Sequence, residues 1–311
     1  MKRVVITGGA GFIGSNLVPY LAASGLYEIY AIDNESLGRL EYIKVEGVTC
    51  IKGDILNAKL MGEVLEGADT LVHLAADTRV MDSIANPDFN FRINVEGTYT
   101  LLRQAQRAGV RRFINASTGG AILGEIPPPV HENMAPQPLS PYGASKLAIE
   151  GYCSAFSECF GLNAVSLRFS NIFGPRSFHK GSVIAHFFKN ILDANELIVF
   201  GDGSQVRDFL YVDDLVNGVA KFIESDIVGV FQLGSGLPVT INELLSNMAE
   251  VVGADHKIEV RFVDFRPGEI QKTWSDIEKA QRAINFRPET TLTEGLRQTW
   301  QWFQKNSLGI S

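Results

Sequence analysis

Apolar residues in the first half of the chain come in short unbroken runs rather than in strict alternation. "RVVIT", "EIYAID", "VTCIKGD", "TLVHLAA", "RRFINAST" and "LNAVSLRFS" each read as a strand buried on both faces, with amphipathic or irregular stretches between them. Such runs alternating with helical patterns predict a parallel sheet covered by helices on both sides. The first helix carries Ile13, Leu17 and Leu21 on one face, contains Pro19, where a kink is expected, and stops at Gly25. "NVEGTYTLLRQAQRAG" puts Val95, Thr98, Leu102 and Ala105 on one stripe. A third helix runs from Ser140-Pro141 to Gly161, with Tyr152, Phe156 and Phe160 spaced four apart.

Between the strand "FINAST" and that third helix lies "GGAILGEIPPPVHENMAPQPLSP", too rich in Gly and Pro for a regular element. A long loop at the carboxyl end of a parallel strand is a usual wall of an active site. After Arg176 the pattern changes to "GPRSFHKGSV", "ELIVFGDGSQVRDFLYVDD", "KIEVRFVDFRPGE" and a closing amphipathic helix bearing Leu296, Trp300 and Phe303. The expected division is one large domain over residues 1–166, to which 206–232 return, and a smaller lobe from 167–205 and 233–311. There is no internal repeat and no low-complexity segment.

Composition narrows the partners. A net charge of −7, with no basic run longer than Val110-Arg111-Arg112, argues against nucleic acid. No apolar stretch reaches the roughly 18 residues of a membrane span, and no leader precedes the first strand, which begins by residue 3. Three cysteines, Cys50, Cys153 and Cys159, lack CxxC or metal-ligand spacing and suit a reducing compartment. A cytoplasmic protein without a metal is expected.

Gly8, Gly11 and Gly14 stand in GxxGxxG spacing between the first strand and the first helix. The first glycine permits the turn, the second lets backbone approach a pyrophosphate, and the third lets helix pack on strand, while the helix N-terminus attracts phosphate. About twenty residues on, at the end of the second strand, Asp33 is placed to accept from the adenosine ribose hydroxyls. A carboxylate there repels a 2′-phosphate, which favours NAD over NADP. Asp54, closing the third strand in "GDI", could reach the adenine amino group. The fold class that follows is α/β, a doubly wound parallel (Rossmann) sheet with a smaller, interleaved C-terminal substrate lobe.

Tyr142 and Lys146 are i and i+4 on the third helix and share a face. A free phenol titrates near 10 and is a poor base at neutral pH. A neighbouring ammonium and the positive nicotinamide ring would lower that value, so Tyr142 could remove a hydroxyl proton while hydride leaves the same carbon. Thr118 or Ser117, from the end of the preceding strand, could hold the substrate oxygen.

With these motifs, and with "HLAA" at His73 to Ala76, "NVEGT", "YGASK", "LRFSNIFGPR", "FGDGSQVRDFLYVDD" and "RPGE" in order, the whole chain resembles the extended short-chain dehydrogenase/reductase family, among them the NAD-dependent sugar-nucleotide epimerases and dehydratases. The resemblance implies that Phe12, Ile13, Asp33, Asn34, Ser36, Asp54, Ile55, Leu74, Ala75, Ala76, Asn94 and Ser170 line the NAD site. It makes Tyr142 the proton acceptor, Lys146 its partner and ribose ligand, and Thr118 the substrate-aligning hydroxyl. Asn171, Arg207 and Arg266 would grip the substrate diphosphate, and Val183 would belong to the substrate site. Val199 and Phe200 would flank its base, and Glu269 would accept from its ribose.

Some positions depart from the family pattern. Leu123 stands where a Tyr is frequent, which would alter one wall of the sugar pocket. Thr273 stands where glucose-restricted members resemble each other in carrying a bulky Tyr, which would leave room for a C2 N-acetyl group. Family 4,6-dehydratases carry an acidic residue just after the catalytic hydroxyl; here Gly119 and Gly120 follow it, and neither can move a proton. The resemblance therefore implies 4-epimerisation of a nucleoside-diphosphate hexose, with UDP as carrier and glucose/galactose or their N-acetylated forms as pairs. A 4,6-dehydratase, decarboxylase or 4-keto reductase is the alternative, and a non-catalytic NAD-sensing regulator a remote one. The resemblance also implies a homodimer through the helices that follow Asn94 and Tyr142.

Overall fold

In the computed structural model, which describes residues 1–254, 256–265 and 270–306, the buried runs of the first half become a parallel sheet. Its strands are β1 (Lys2–Thr7), β2 (Tyr27–Asp33), β3 (Val48–Lys52), β4 (Thr70–His73), β5 (Arg112–Thr118) and β6 (Asn163–Phe169), joined at one edge by β10 (Gly229–Leu233). The seven-stranded order is β3-β2-β1-β4-β5-β6-β10, and every pairing is parallel. The chain reverses its winding between β1 and β4, so their carboxyl ends leave a crevice, the place where such sheets bind ligands.

One face of the sheet is covered by α1 (Phe12–Ala23), through Leu17, Val18 and Leu21, and by α9 (Val212–Ile223). The other is covered by α2 (Ala58–Leu65), α5 (Thr98–Arg107) and α7 (Pro141–Phe160), whose Leu101, Leu102, Ala105, Ile149, Cys153 and Phe156 pack together. Short helices α3 (Val80–Ala85) and α4 (Pro87–Phe91) lead through a π-helical turn, Arg92–Gly97, into α5, and α6 (Gly120–Leu123) follows β5. α1 continues through Pro19 to Ala23, and Gly25 takes the left-handed conformation just beyond it.

The second apolar core lies among α8 (Val183–Leu192), α10 (Ile241–Val252) and α12 (Leu292–Asn306). It is bordered by a two-stranded pair of β8 (Leu197–Phe200) and β12 (Val260–Val263), and by a three-stranded sheet of β7 (Asn171–Phe173), β9 (Val206–Tyr211) and β11 (Pro238–Thr240). A capping box between Thr240 and Glu243 starts α10, and α11 (Glu278–Ile284) packs beside β10.

The expected division needs two corrections. A boundary at 166 would cut β6, which is hydrogen-bonded to β5 as far as Phe169. Within 206–232, α9 and β10 do join the large sheet's layers, but β9 pairs with β7 and β11, because its hydrogen-bonding edges are taken by those two strands.

Candidate active site

The turn from β1 into α1 forms the floor of the crevice. Gly8 has φ +70°, and a Cβ on it would lie 2.6 Å from the Ala75 amide nitrogen. A Cβ on Gly14 would lie 2.3 Å from the Gly8 carbonyl. Only glycine fits at both, so the α1 N-terminus meets the crevice as bare backbone. A cavity of about 300 Å³ over this turn includes Gly8, Gly11, Phe12, Ile13 and Gly14 and reaches Tyr142 and Lys146. A second, of about 310 Å³, holds Asp33, Asn34, Ser36, Asp54, Ile55, Leu74, Ala75 and Ala76. Asp33 is fixed by the amides of Ala10 (3.0 Å) and Glu35 (2.8 Å). Asp54 accepts from Asn34 Nδ2 at 3.1 Å. Backbone cradle, carboxylate at the end of β2 and adjoining pockets match the diphosphate, ribose and base of a dinucleotide.

Ser140 caps α7 by accepting from the Gly143 amide at 3.2 Å, and Pro141 occupies the first turn, where its missing N–H costs nothing. This start sets Tyr142 and, one turn on, Lys146 against the carboxyl end of β5. The Thr118 hydroxyl lies beside Tyr142 on the wall of the cavity over the glycine turn and favours the ionised phenol. Lys146 donates to the Ala116 carbonyl at 3.0 Å. Burial pushes the phenol up to about 12, and Thr118 only partly offsets it. Burial likewise lowers Lys146 to about 8, against the opposing charge of Glu150 and Asp77. In the protein alone the phenol thus stands above its ordinary value; the depression expected from Lys146 together with the nicotinamide ring involves the cofactor's charge as well.

Ser117 is the residue the structure removes from the catalytic pair. Successive strand residues face opposite ways, and the Ser117 hydroxyl is turned under α7, where it donates to buried Glu150 at 2.6 Å, two turns along the helix from Tyr142. Glu150 in turn holds a bidentate ion pair with Arg168, at 2.9 and 2.7 Å. Thr118 is the hydroxyl that meets Tyr142.

A third cavity, of about 440 Å³, opens beside Tyr142 and Thr118 and is bounded by Ser170, Asn171, Arg207 and Thr273. Its only carboxylate among the described residues is Asp208. That group already accepts from the amides of Ser235 (2.7 Å), Gly236 (3.3 Å) and Ser275 (3.0 Å) and from the Ser235 hydroxyl. It ties loops together and is not placed as a proton carrier.

A family model described as "NAD dependent epimerase/dehydratase family" matches residues 4–234. The chain belongs to that family. It is 33% identical over 314 residues to the UDP-glucose 4-epimerase of Mycolicibacterium smegmatis, covering 98% of this chain and 99% of that one. Among solved structures it resembles a UDP-N-acetylglucosamine 4-epimerase from Methanobrevibacter ruminantium in complex with UDP-N-acetylmuramic acid (34% identity, TM-score 0.92, 98% and 99% covered). It also resembles the UDP-glucose 4-epimerase of Thermus thermophilus in complex with NAD (34% identity, TM-score 0.90, 99% and 100% covered). Membership of an NAD-dependent epimerase family accounts for the cradle, and the cofactor is NAD.

Several residues that the family resemblance assigns lie elsewhere. Asn94 is buried behind the cofactor cavity, where its amide holds Asp77 N and O at 2.8 Å each and Ser145 Oγ at 3.1 Å; it shapes the wall rather than lining it. Val199 is packed in the small-lobe core, while Phe200, the next residue on β8, points to the other face, so the two cannot flank one base. Val183 packs against the same core at the start of α8. Leu123 is buried in the core behind α6, and Ala121 of that helix borders the cavity instead. Arg266 and Glu269 lie outside the described residues.

Other residues of the family site went unread. Val80, Met81, Ile84 and Leu139 give the third cavity an apolar rim. Arg79, Arg176 and Lys180 line the cofactor cavity. Glu150 could have been found, since it continues the Tyr142–Lys146 face of α7 by another i+4 step.

Proposed function

We propose that this protein interconverts C4 epimers of a nucleoside-diphosphate hexose, with UDP as the carrier. NAD, held in the cavities of Gly8, Gly11 and Asp33, would supply the acceptor for the C4 hydride. Thr118 holds the C4 oxygen, and Tyr142 takes the hydroxyl proton and gives it back, with Lys146 as the adjacent cation. Burial holds the phenol up at about 12, and positive charge from the cofactor beside Lys146 would bring it down. Between the two half-reactions the keto sugar turns about its diphosphate linkage, while Asn171 and Arg207 hold the nucleotide side.

The observation that carries the choice of reaction lies just past Thr118. Gly119 and Gly120 line the cavity, and a Cβ on Gly119 would fall 2.6 Å from Oε1 of buried Gln232. An acid at 119 would have to displace that amide, and Asp208 is fully engaged, so no described group stands ready to eliminate water across C5 and C6. Small residues also face the sugar at Gly120, where a Cβ would sit 3.5 Å from Thr273 Oγ1. That room favours a substrate with an acetamido or comparable substituent at C2. The free cysteines support a cytoplasmic setting, and among the described residues no helix is long and apolar enough to cross a membrane.

The test is proton NMR in D2O with UDP-glucose, UDP-N-acetylglucosamine and UDP-glucuronate offered separately. The expected result is a C4 epimer without deuterium on the sugar carbons. Deuterium at C5 with a new methyl signal would assign a 4,6-dehydratase instead.

A further inference from the structure

Lys180 is a cation that the mechanism above does not use. It lies in the loop that leaves β7 at Phe173 and enters α8 at Val183. Its ammonium donates to the Ile172 carbonyl at 2.5 Å and sits 4.8 Å from the centroid of the Phe12 ring. Phe12 opens α1, the helix whose N-terminus forms the cradle, so Lys180 faces that N-terminus from across the cavity. An ammonium has three donors and one is engaged here. Among the described residues no carboxylate pairs with it, and burial lowers its pKa to about 8, the mark of a cation lacking an anion.

The surroundings have the same sign. Arg79, Lys146, Arg176 and Lys180 line this cavity, and none of its described lining residues is acidic, in a chain whose net charge is −7. The adjoining cavity carries Asp33, Asp54, Asp77 and Asp82, with Arg79 on the wall the two cavities share and ion-paired with Asp82 at 3.4 Å. Negative charge is thus gathered where ribose hydroxyls and an amino group would donate, and positive charge where phosphate oxygens would accept.

We propose that Lys180 binds the diphosphate of NAD from the side opposite the glycine cradle, so that the loop into the substrate lobe closes over the cofactor. The backbone N–H groups of the α1 N-terminus and the ammonium then hold the diphosphate between them. The site differs from that of the substrate diphosphate, because Lys180 does not border the cavity of Asn171, Arg207 and Thr273. Loop position and cofactor occupancy become coupled: an empty cradle leaves Lys180 without a counter-charge.

This assignment rests on the cofactor reading above, and its test reads binding rather than turnover. Protein freed of co-purifying nucleotide is titrated with NADH, followed by fluorescence, and with ADP-ribose and UDP, followed by calorimetry. Lys180→Met is expected to weaken NADH and ADP-ribose alike, by about tenfold or more, the scale of one charge-assisted hydrogen bond, and to leave UDP unchanged. Lys180→Arg is expected to restore most of the loss. Unchanged affinity for NADH and ADP-ribose in Lys180→Met would overturn the assignment and reduce the lysine to a loop anchor. Loss confined to UDP would transfer it to the substrate diphosphate. A wild-type protein that binds UDP but not NADH would overturn the cofactor reading itself, an outcome distinguishable from the other two.

Discussion

Two adjacent hydroxyls, Ser117 and Thr118, look interchangeable in the sequence and are not interchangeable in the fold, because a strand turns one away from the other. Thr118→Ala is expected to lower kcat by about 10²-fold or more, since it removes the group that holds the substrate oxygen against Tyr142. Ser117→Ala should keep turnover within a few-fold and instead lower stability by about 1–3 kcal/mol, as Glu150 loses a buried donor. Steady-state kinetics beside urea unfolding separates the two; the reverse pattern would make Ser117 the catalytic hydroxyl. His73 is a second case of residue-level burial. Its ring nitrogens lie 2.7 Å from the Thr7 hydroxyl and 2.8 Å from that of Thr98, and burial, aided by the charge of Lys146, lowers its pKa to about 3. The unfolded value is near 6.5, so its contribution is whole above that pH and is lost as pH falls, at about 1.4 kcal/mol per unit. Between pH 7.5 and 5.5 the wild type should lose about 1.4 kcal/mol more than His73→Asn, read from urea midpoints. Equal losses would contradict a buried neutral imidazole.

At the scale of elements, α7 carries the site on one face: Tyr142, Lys146 and Glu150 recur every four residues, from substrate, to cofactor, to the ion pair that seats the helix on β5 and β6. Glu150→Ala would leave Arg168 buried and unpaired, and is expected to cost about 3–5 kcal/mol. A Glu150→Leu/Arg168→Met double variant should recover most of it; if the double variant is no better than the single, the loss lies in packing rather than in stranded charge. The spacing of Tyr142 and Lys146 was legible because a helix starting at Ser140-Pro141 fixes it. The sheet was legible because strands buried on both faces leave unbroken apolar runs. Elements read from family likeness alone fared less well: Val199 and Phe200 are neighbours in sequence, yet β8 sends them to opposite faces. The partners of Ser117 could not be read, since Glu150 and Arg168 meet it only after α7 and β6 have packed. Nor could the apolar rim from α3, a six-residue helix too short to show a period.

At the scale of the whole molecule, α5 and α7 present an exposed apolar surface. α5 and α7 pack together on the sheet, but their outer faces keep Tyr99 at 39%, Tyr152 at 42% and Phe160 at 51% exposed, with Tyr99 and Tyr152 edge-to-face at 5.2 Å. The same face carries Arg103 and Arg107, four and eight residues on from Tyr99 along α5. A two-fold axis through it would stack the aromatics centrally and leave the α5 arginines at the rim, an apolar centre with a polar edge. The chain is therefore expected to sediment as a dimer at micromolar concentration, and Tyr152→Glu/Phe160→Glu to sediment as a monomer, because two buried carboxylates without partners would oppose association. A wild type that sediments as a monomer would sink this reading. Because Tyr142 and Tyr152 share α7, the dimer would also brace the helix that positions the base, so the monomeric variant should unfold at lower temperature and regain stability when UDP-sugar and NADH are added.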